Sequence, residues 1–225
     1  MISAVSNGCF LFAQPHQGGC MSFQRIQPKK LSGQERFAST GTKQFTVLDF
    51  WQYAFSVLND NVLRGRLAEF LVEVALKDMK DIGVRSSWGD WDVEDFDGTK
   101  IEVKCAAYIQ DWDQNDYSNI VFGRLKGKEV YYSNAVKSFK ELAALNYKAD
   151  IYVLALQHHK EHSSFDILDM QQWSFYVLSR EAIARITNNG KSVSLAKLMS
   201  NGVLPVTFEN IQQAIEEIKA SPSPK

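Results

Sequence analysis

Apolar residues recur with a helical period over residues 45–58, where Val47, Phe50, Trp51, Phe55 and Leu58 predict an amphipathic helix. Asn59-Asp60-Asn61 interrupts that period and offers an N-cap for a second helix, expected to run to about Lys80, with Gly83 closing the unit. The period then shortens to two. Strands are expected over residues 91–96 and 99–107, separated by a turn that contains Asp97-Gly98, and residues 120–122 form a candidate third strand. Residues 135–145 predict a helix, and the apolar run 150–157 predicts a strand buried on both faces. Residues 173–178 are rich in strand formers, and Ser179 can cap a short helix through Ile186. Asn188-Asn189-Gly190 signals a turn, and Thr207 can cap a last helix ending near Lys219. The sum is one mixed α/β domain over residues 45–220, with a helix ahead of a small sheet.

Residues 1–44 are rich in Gly, Ser, Gln and Lys and keep no period, so they predict a loosely ordered leader; Met21 is an alternative start. Residues 221–225 predict a flexible tail. A chain of 225 residues, 45% of them hydrophobic, suits a single domain with ample core material. No apolar run has the length of a membrane span, and residues 9–13 lack the preceding positive charge of a signal peptide. The cysteines Cys9, Cys20 and Cys105 are odd in number and form no Cys-x-x-Cys pair, which argues against a disulfide framework or a cysteine zinc site and fits a reducing cytoplasm. A net charge of −1 announces no nucleic-acid binder, so any basic groove must come from local clustering.

The chemistry concentrates in residues 91–104. Glu102 and Lys104 stand two apart on a strand and share a face, while Ile101 and Val103 point the other way. Whether Asp92 joins them depends on the hairpin register. A two-residue loop at Asp97-Gly98 pairs Asp92 with Val103; a three-residue loop, Phe96-Asp97-Gly98, pairs it with Glu102 and puts Gly98 where a left-handed residue is needed. Two carboxylates and the Val103 carbonyl would make an oxygen site suited to Mg²⁺, which could activate water against a phosphodiester, with Lys104 orienting that water or neutralising charge. The alternative is an ordinary hairpin with one solvated face, a picture that Glu94 and Lys100 also fit.

On the second helix, Leu63, Leu67, Phe70, Leu71 and Val74 form an apolar face, and Ala68, Val72, Ala75 and Leu76 extend it. Arg66, Glu69 and Glu73 are left in a narrow polar stripe. That stripe is either solvated, with an Arg66–Glu69 pair, or it brings Glu69 to the hairpin acids. Gln110 could touch a phosphate or a base and Trp112 could stack on one; a strand end with a half-buried aromatic explains both as well. Asp111, Asp113 and Asp116 make that loop acidic. Arg124, Lys126, Lys128, Lys137 and Lys140, with Tyr131 and Tyr132 among them, form the best basic cluster for phosphate contacts. His158, His159 and His162 read as a surface loop more readily than as a zinc site, Trp88, Trp91 and Trp173 as packing residues, and Cys105 shows no neighbour that would activate a thiol.

Taken together, Asp92, the triplet Glu102-Val103-Lys104 and the helical Glu69 resemble the PD-(D/E)xK nuclease superfamily, although Trp91 stands where the motif name has proline. The run Arg64-Gly65-Arg66-Leu67-Ala68-Glu69-Phe70 is similar to the helix opening of small stand-alone members. The resemblance spans about residues 61–110. It implies a restriction-endonuclease-like core, a helix followed by a small mixed β-sheet flanked by helices in the order α-β-β-β-α-β. It also implies phosphodiester hydrolysis with Mg²⁺ or Mn²⁺, usually on DNA, by a site of Glu69, Asp92, Glu102 and Lys104. Arg66, Gln110, Arg124, Lys126 and Lys128 are then candidates for nucleic-acid contact, and a homodimer or a protein partner is open. The rival is a catalytically inactive nucleic-acid-binding or protein-interaction module on the same fold.

Overall fold

The computed structural model describes residues 26–85, 90–133 and 138–221. Trp88 and Lys137 lie outside them. Helix α1 (Val47–Phe55) opens on a capping box: Thr46 accepts from the Asp49 N–H, and the Asp49 carboxylate accepts from the Thr46 N–H. Its half-buried stripe is Val47, Trp51 and Ala54, while Phe50 and Phe55 stay exposed and meet edge to face. The segment ahead of it is tied back, with the Leu48 N–H donating to Gly33 O and the Val47 N–H to Glu35 O, both at 2.9 Å.

Helix α2 (Asn61–Leu76) is capped by Asp60, whose carboxylate accepts from the N–H groups of Val62 and Leu63, and ends four residues short of the expected Lys80. Its buried face is Arg64, Ala68, Leu71, Val72 and Leu76, rotated from the expected Leu63–Leu67–Phe70 stripe; Phe70 is exposed. The helix is apolar nearly all round, so the wheel offers no unique face, and the small Ala68 allows close packing on the sheet.

The main sheet has four strands in the order β1 (Val93–Glu94), β2 (Lys100–Ala107), β6 (Ile151–Gln157) and β7 (Trp173–Ser179). β1 and β7 run antiparallel to their neighbours, and β2 and β6 are parallel. All seven residues of β6 are buried, as its unbroken apolar run predicts. Between β2 and β6 lie β3 (Val121–Phe122) and the hairpin of β4 (Gly127–Ser133) and β5 (Ser138–Asn146). The helix expected over residues 135–145 is therefore corrected: residues 138–146 form a strand, because the ladder to β4 overrides a helix-forming composition. No helix among the described residues stands in this crossover, which differs from the α-β-β-β-α-β order that the resemblance implies.

After β7 come α3 (Arg180–Thr187), capped by Ser179, β8 (Val193–Ser194) pairing with β3, α4 (Leu195–Ser200) and α5 (Ile211–Ala220). Thr207 starts a single 3₁₀ turn instead of capping α5 directly. Asn188 and Asn189 take left-handed conformations in the expected turn.

Two cores sandwich the sheet. α2 and α5 cover the face of Ile101, Val103, Val153, Ala155 and Phe175. Ile183 and Ile186 of α3, Leu198 of α4 and the β3–β8 pair cover the face of Tyr152, Leu154, Tyr176 and Leu178. The class is thus mixed α/β with a small mixed sheet between helices. No helix among the described residues is long and apolar enough to cross a membrane.

Candidate active site

The hairpin register decides whether the acids meet. Val93 pairs with Ile101 and Glu94 with Lys100, which leaves the three-residue loop Phe96-Asp97-Gly98. The Gly98 N–H donates to Asp95 O at 3.0 Å, and Gly98 sits at φ +84°, a region costly for a residue with a Cβ. Continued by one step, this register sets Asp92 against Glu102. The regular ladder stops there: the Asp92 N–H donates to Ile101 O at 3.1 Å, and Asp92 Oδ2 accepts the Val103 N–H at 2.9 Å. The carboxylate thus takes the place of a backbone partner on the β2 edge. In a strand the N–H and C=O of one residue leave on the same side, so the Val103 carbonyl also faces this edge, beside Asp92.

The charged groups form a connected chain. Lys104 Nζ donates to Glu102 and lies 3.9 Å from Asp92 Oδ2. Arg85 donates from Nε to Glu69 and reaches Asp92 Oδ1 from Nη2 at 3.4 Å. Arg66 Nη1 meets the same Glu69 oxygen, Oε2, at 3.3 Å. The side chains of Glu69, Asp92 and Glu102 are only 15–18% exposed, so these acids are partly desolvated and need countercharge. Burial pushes the Glu102 carboxyl above its usual range, opposed by the Lys104 ammonium and reinforced by the charges of Asp92 and Glu69. Arg85, bonded to both Glu69 and Asp92, and Lys104, between Asp92 and Glu102, link the three acids in one electrostatic neighbourhood.

The sequence singled out Glu69, Asp92, Glu102 and Lys104, and the structure brings the four together. It also adds Arg85, in the connection after Gly83, which no periodicity could expose. Among the described residues, no three His, Cys, Asp or Glu side chains are already gathered as metal ligands. The donor set still suits a hard cation: Asp92 Oδ1, a Glu102 oxygen and the Val103 carbonyl are all oxygen. Their negative charge is met at present by Lys104 and Arg85.

The outer candidates divide. Arg66 is half exposed beside Glu69. Gln110 turns inward, with Oε1 accepting from Arg64 at 3.0 Å and Nε2 donating to Ala107 O and Ser118 Oγ. Arg64 is a second residue whose role the sequence did not reveal: it is buried, has no carboxylate partner among the described residues, and is held by Asn59, Asn61 and Gln110. It also lies against Cys105, whose thiol burial pushes up to about 12, away from the thiolate form. Arg124 adopts φ +55°. Lys126 sits over the Tyr147 ring and donates to Asn189 at 3.2 Å; Tyr147 meets Tyr152, the β6 partner of Glu102. This run of contacts leads from a basic loop toward the acid cluster. Lys128 lies on β4. Trp112 is exposed, as are Asp111, Asp113 and Asp116.

Of the histidines, His158 bonds Ser174 and His159 bonds Ser164. Trp173 is buried and Trp91 packs under Lys100. No family model matches the chain, and no curated protein or solved structure matches it either.

Proposed function

We propose that this protein is a metal-dependent nuclease that hydrolyses phosphodiesters, most simply in DNA, on a PD-(D/E)xK-type site. The observation that carries the reading is the convergence of Glu69, Asp92, Glu102 and Lys104 where β1 ends and the Val103 carbonyl lies at the strand edge. Asp92, Glu102 and Val103 O would hold Mg²⁺ or Mn²⁺, with Glu69 completing the site. When bound, the metal would lower the pKa of a coordinated water and polarise a phosphoryl oxygen.

The chain's own residues supply the rest. The Val103 N–H fixes Asp92, so its carboxylate does not have to be ordered when substrate arrives. Lys104, between Glu102 and Asp92, is placed to orient the attacking water and to neutralise charge as a new oxygen–phosphorus bond forms and the ester bond breaks. Arg66, Arg124 and Lys126 on the loop before β4, and Lys128 on β4 supply positive charge for the backbone of the substrate. The odd cysteine set is compatible with work in a reducing compartment such as the cytoplasm.

A second reading has its own observation: the acids are already neutralised by Arg85 and Lys104, as in a structural ion network of an inactive binding module. Incubating linear, circular, nicked and branched DNA with Mn²⁺ or Mg²⁺, beside the Asp92→Ala protein, separates the two. The nuclease reading expects cutting that needs the metal and disappears in the mutant. Cutting equal in both proteins, or DNA binding indifferent to EDTA with no cutting at all, favours the binding module.

A further inference from the structure

The acid cluster already holds a cation of the chain's own. The Arg85 guanidinium spans a helix acid and a strand acid, donating to Glu69 from Nε and to Asp92 Oδ1 from Nη2. Asp92 Oδ2 is committed to the Val103 N–H, so Oδ1 is the oxygen that Asp92 has left to offer a metal. It is the oxygen that Arg85 takes. A divalent ion binds carboxylate oxygen at about 2.0–2.2 Å, and a guanidinium on the same atom both blocks that approach and repels the charge.

We propose that Arg85 is a built-in competitor of the divalent ion, occupying Asp92 and Glu69 until the metal displaces it. This inference rests on the metal-site reading above and adds a regulator to it. The position of Arg85 suits the role. It lies in the connection between α2 and β1, outside any helix or strand, and its side chain is 36% exposed, so it can swing into water without disturbing the core. Arg66 meets the same Glu69 oxygen as Arg85, Oε2, at 3.3 Å and touches no Asp92 oxygen, so Glu69 keeps a partner when Arg85 leaves. Metal loading then requires the loss of at least these two charge-assisted contacts, which weakens the affinity of the cluster for the ion.

The test is Mn²⁺ binding in the absence of nucleic acid, read from the electron paramagnetic resonance signal of the free ion. The proteins compared are the wild type, Arg85→Gln, Arg66→Gln and the double variant Arg85→Gln/Asp92→Ala, each checked for folding by circular dichroism. Arg85→Gln is expected to bind Mn²⁺ about five- to tenfold tighter than wild type, the equivalent of one or two partly exposed ion pairs. Arg66→Gln should change the affinity less, and the double variant should lose the gain. Equal or weaker binding by Arg85→Gln, with the wild type binding normally, overturns the competitor role and leaves the metal site standing. An equal rise in both arginine variants also overturns it, because net charge then explains the effect. Mn²⁺ binding by none of the four proteins overturns both the competitor and the metal site.

Discussion

Lys219 on α5 fastens the loop that sets the site's register. Its ammonium lies 3.0 Å from Asp95, 2.7 Å from Asp97 and 2.7 Å from Glu216. Asp97 and Glu216 are about half exposed, so solvent screens their pairs and they contribute little. Asp95 is different, with a side chain only 9% exposed. Replacing Lys219 by methionine leaves that carboxylate without its cation, at a cost of about 1–3 kcal/mol. The Lys219→Met protein should therefore lose about 1–3 kcal/mol in urea unfolding. For a domain of this size that corresponds to a Tm lower by about 2–12 °C. Repeating the substitution in an Asp95→Asn background should shrink the loss to below about 1 kcal/mol, because no stranded charge remains. A loss under about 0.5 kcal/mol in the single variant, or the same loss in both backgrounds, would refute the assignment of the cost to Asp95.

Three further outcomes are expected. Lys104→Met should lower DNA cleavage by about 10²-fold or more while Mn²⁺ binding persists; cleavage at the wild-type rate removes the lysine from the mechanism. Arg64→Met should destabilise the fold by about 3 kcal/mol, since the Asn61 and Gln110 oxygens and Asn59 O lose a buried donor, and a urea midpoint unchanged from wild type would contradict this. Asp97 is held below the usual carboxylate range, first by its hydrogen bond from Lys219 and then by Thr99, so its contribution to stability is fully present above about pH 4 and is lost as pH falls through the lowered folded value. The gap between wild type and Asp97→Asn should accordingly be widest near neutrality and close in strong acid, and a gap independent of pH would count against the clamp.

The parts of the fold most legible in the sequence are those where a local signal narrowed the choice. Asp97-Gly98 allowed a two- or a three-residue loop, and the three-residue loop that puts Gly98 in the left-handed position is the one that forms, setting Asp92 against Glu102. The apolar run over residues 150–157 read as a buried strand, which residues 151–157 form, and Ser179 capped the helix it preceded. The failures have a common physical root, which is that the deciding partner is remote. Residues 138–146 carry Leu, Ala, Lys and Glu and favour a helix in isolation, yet β4 recruits them as a strand. α2 is apolar on several sides, and only the position of the sheet chooses Ala68 and Val72 for burial over Leu63 and Phe70. Arg85 and Lys219 acquire their meaning from acids on other elements, and no pattern around either residue announces it.

The parallel join of β2 to β6 has a consequence for how the chain reaches this structure. Glu94 and Lys100 meet across a few residues, whereas Ile101 and Ile151 must meet across fifty. Closing the longer span costs about 2 kcal/mol more chain entropy, from the logarithmic growth of closure cost with length. The hairpin that carries Asp92, Glu102 and Lys104 can therefore form early, while the central strand arrives late and commits the rest of the core with it. Refolding should be slow for a domain of this size, as expected of high contact order, and for equal loss of stability substitutions in the early hairpin should slow it more than substitutions in the late β2–β6 seam, which mainly speed unfolding. In that order Asp92, Glu102 and Lys104 would be brought together before the hydrophobic body behind them is complete.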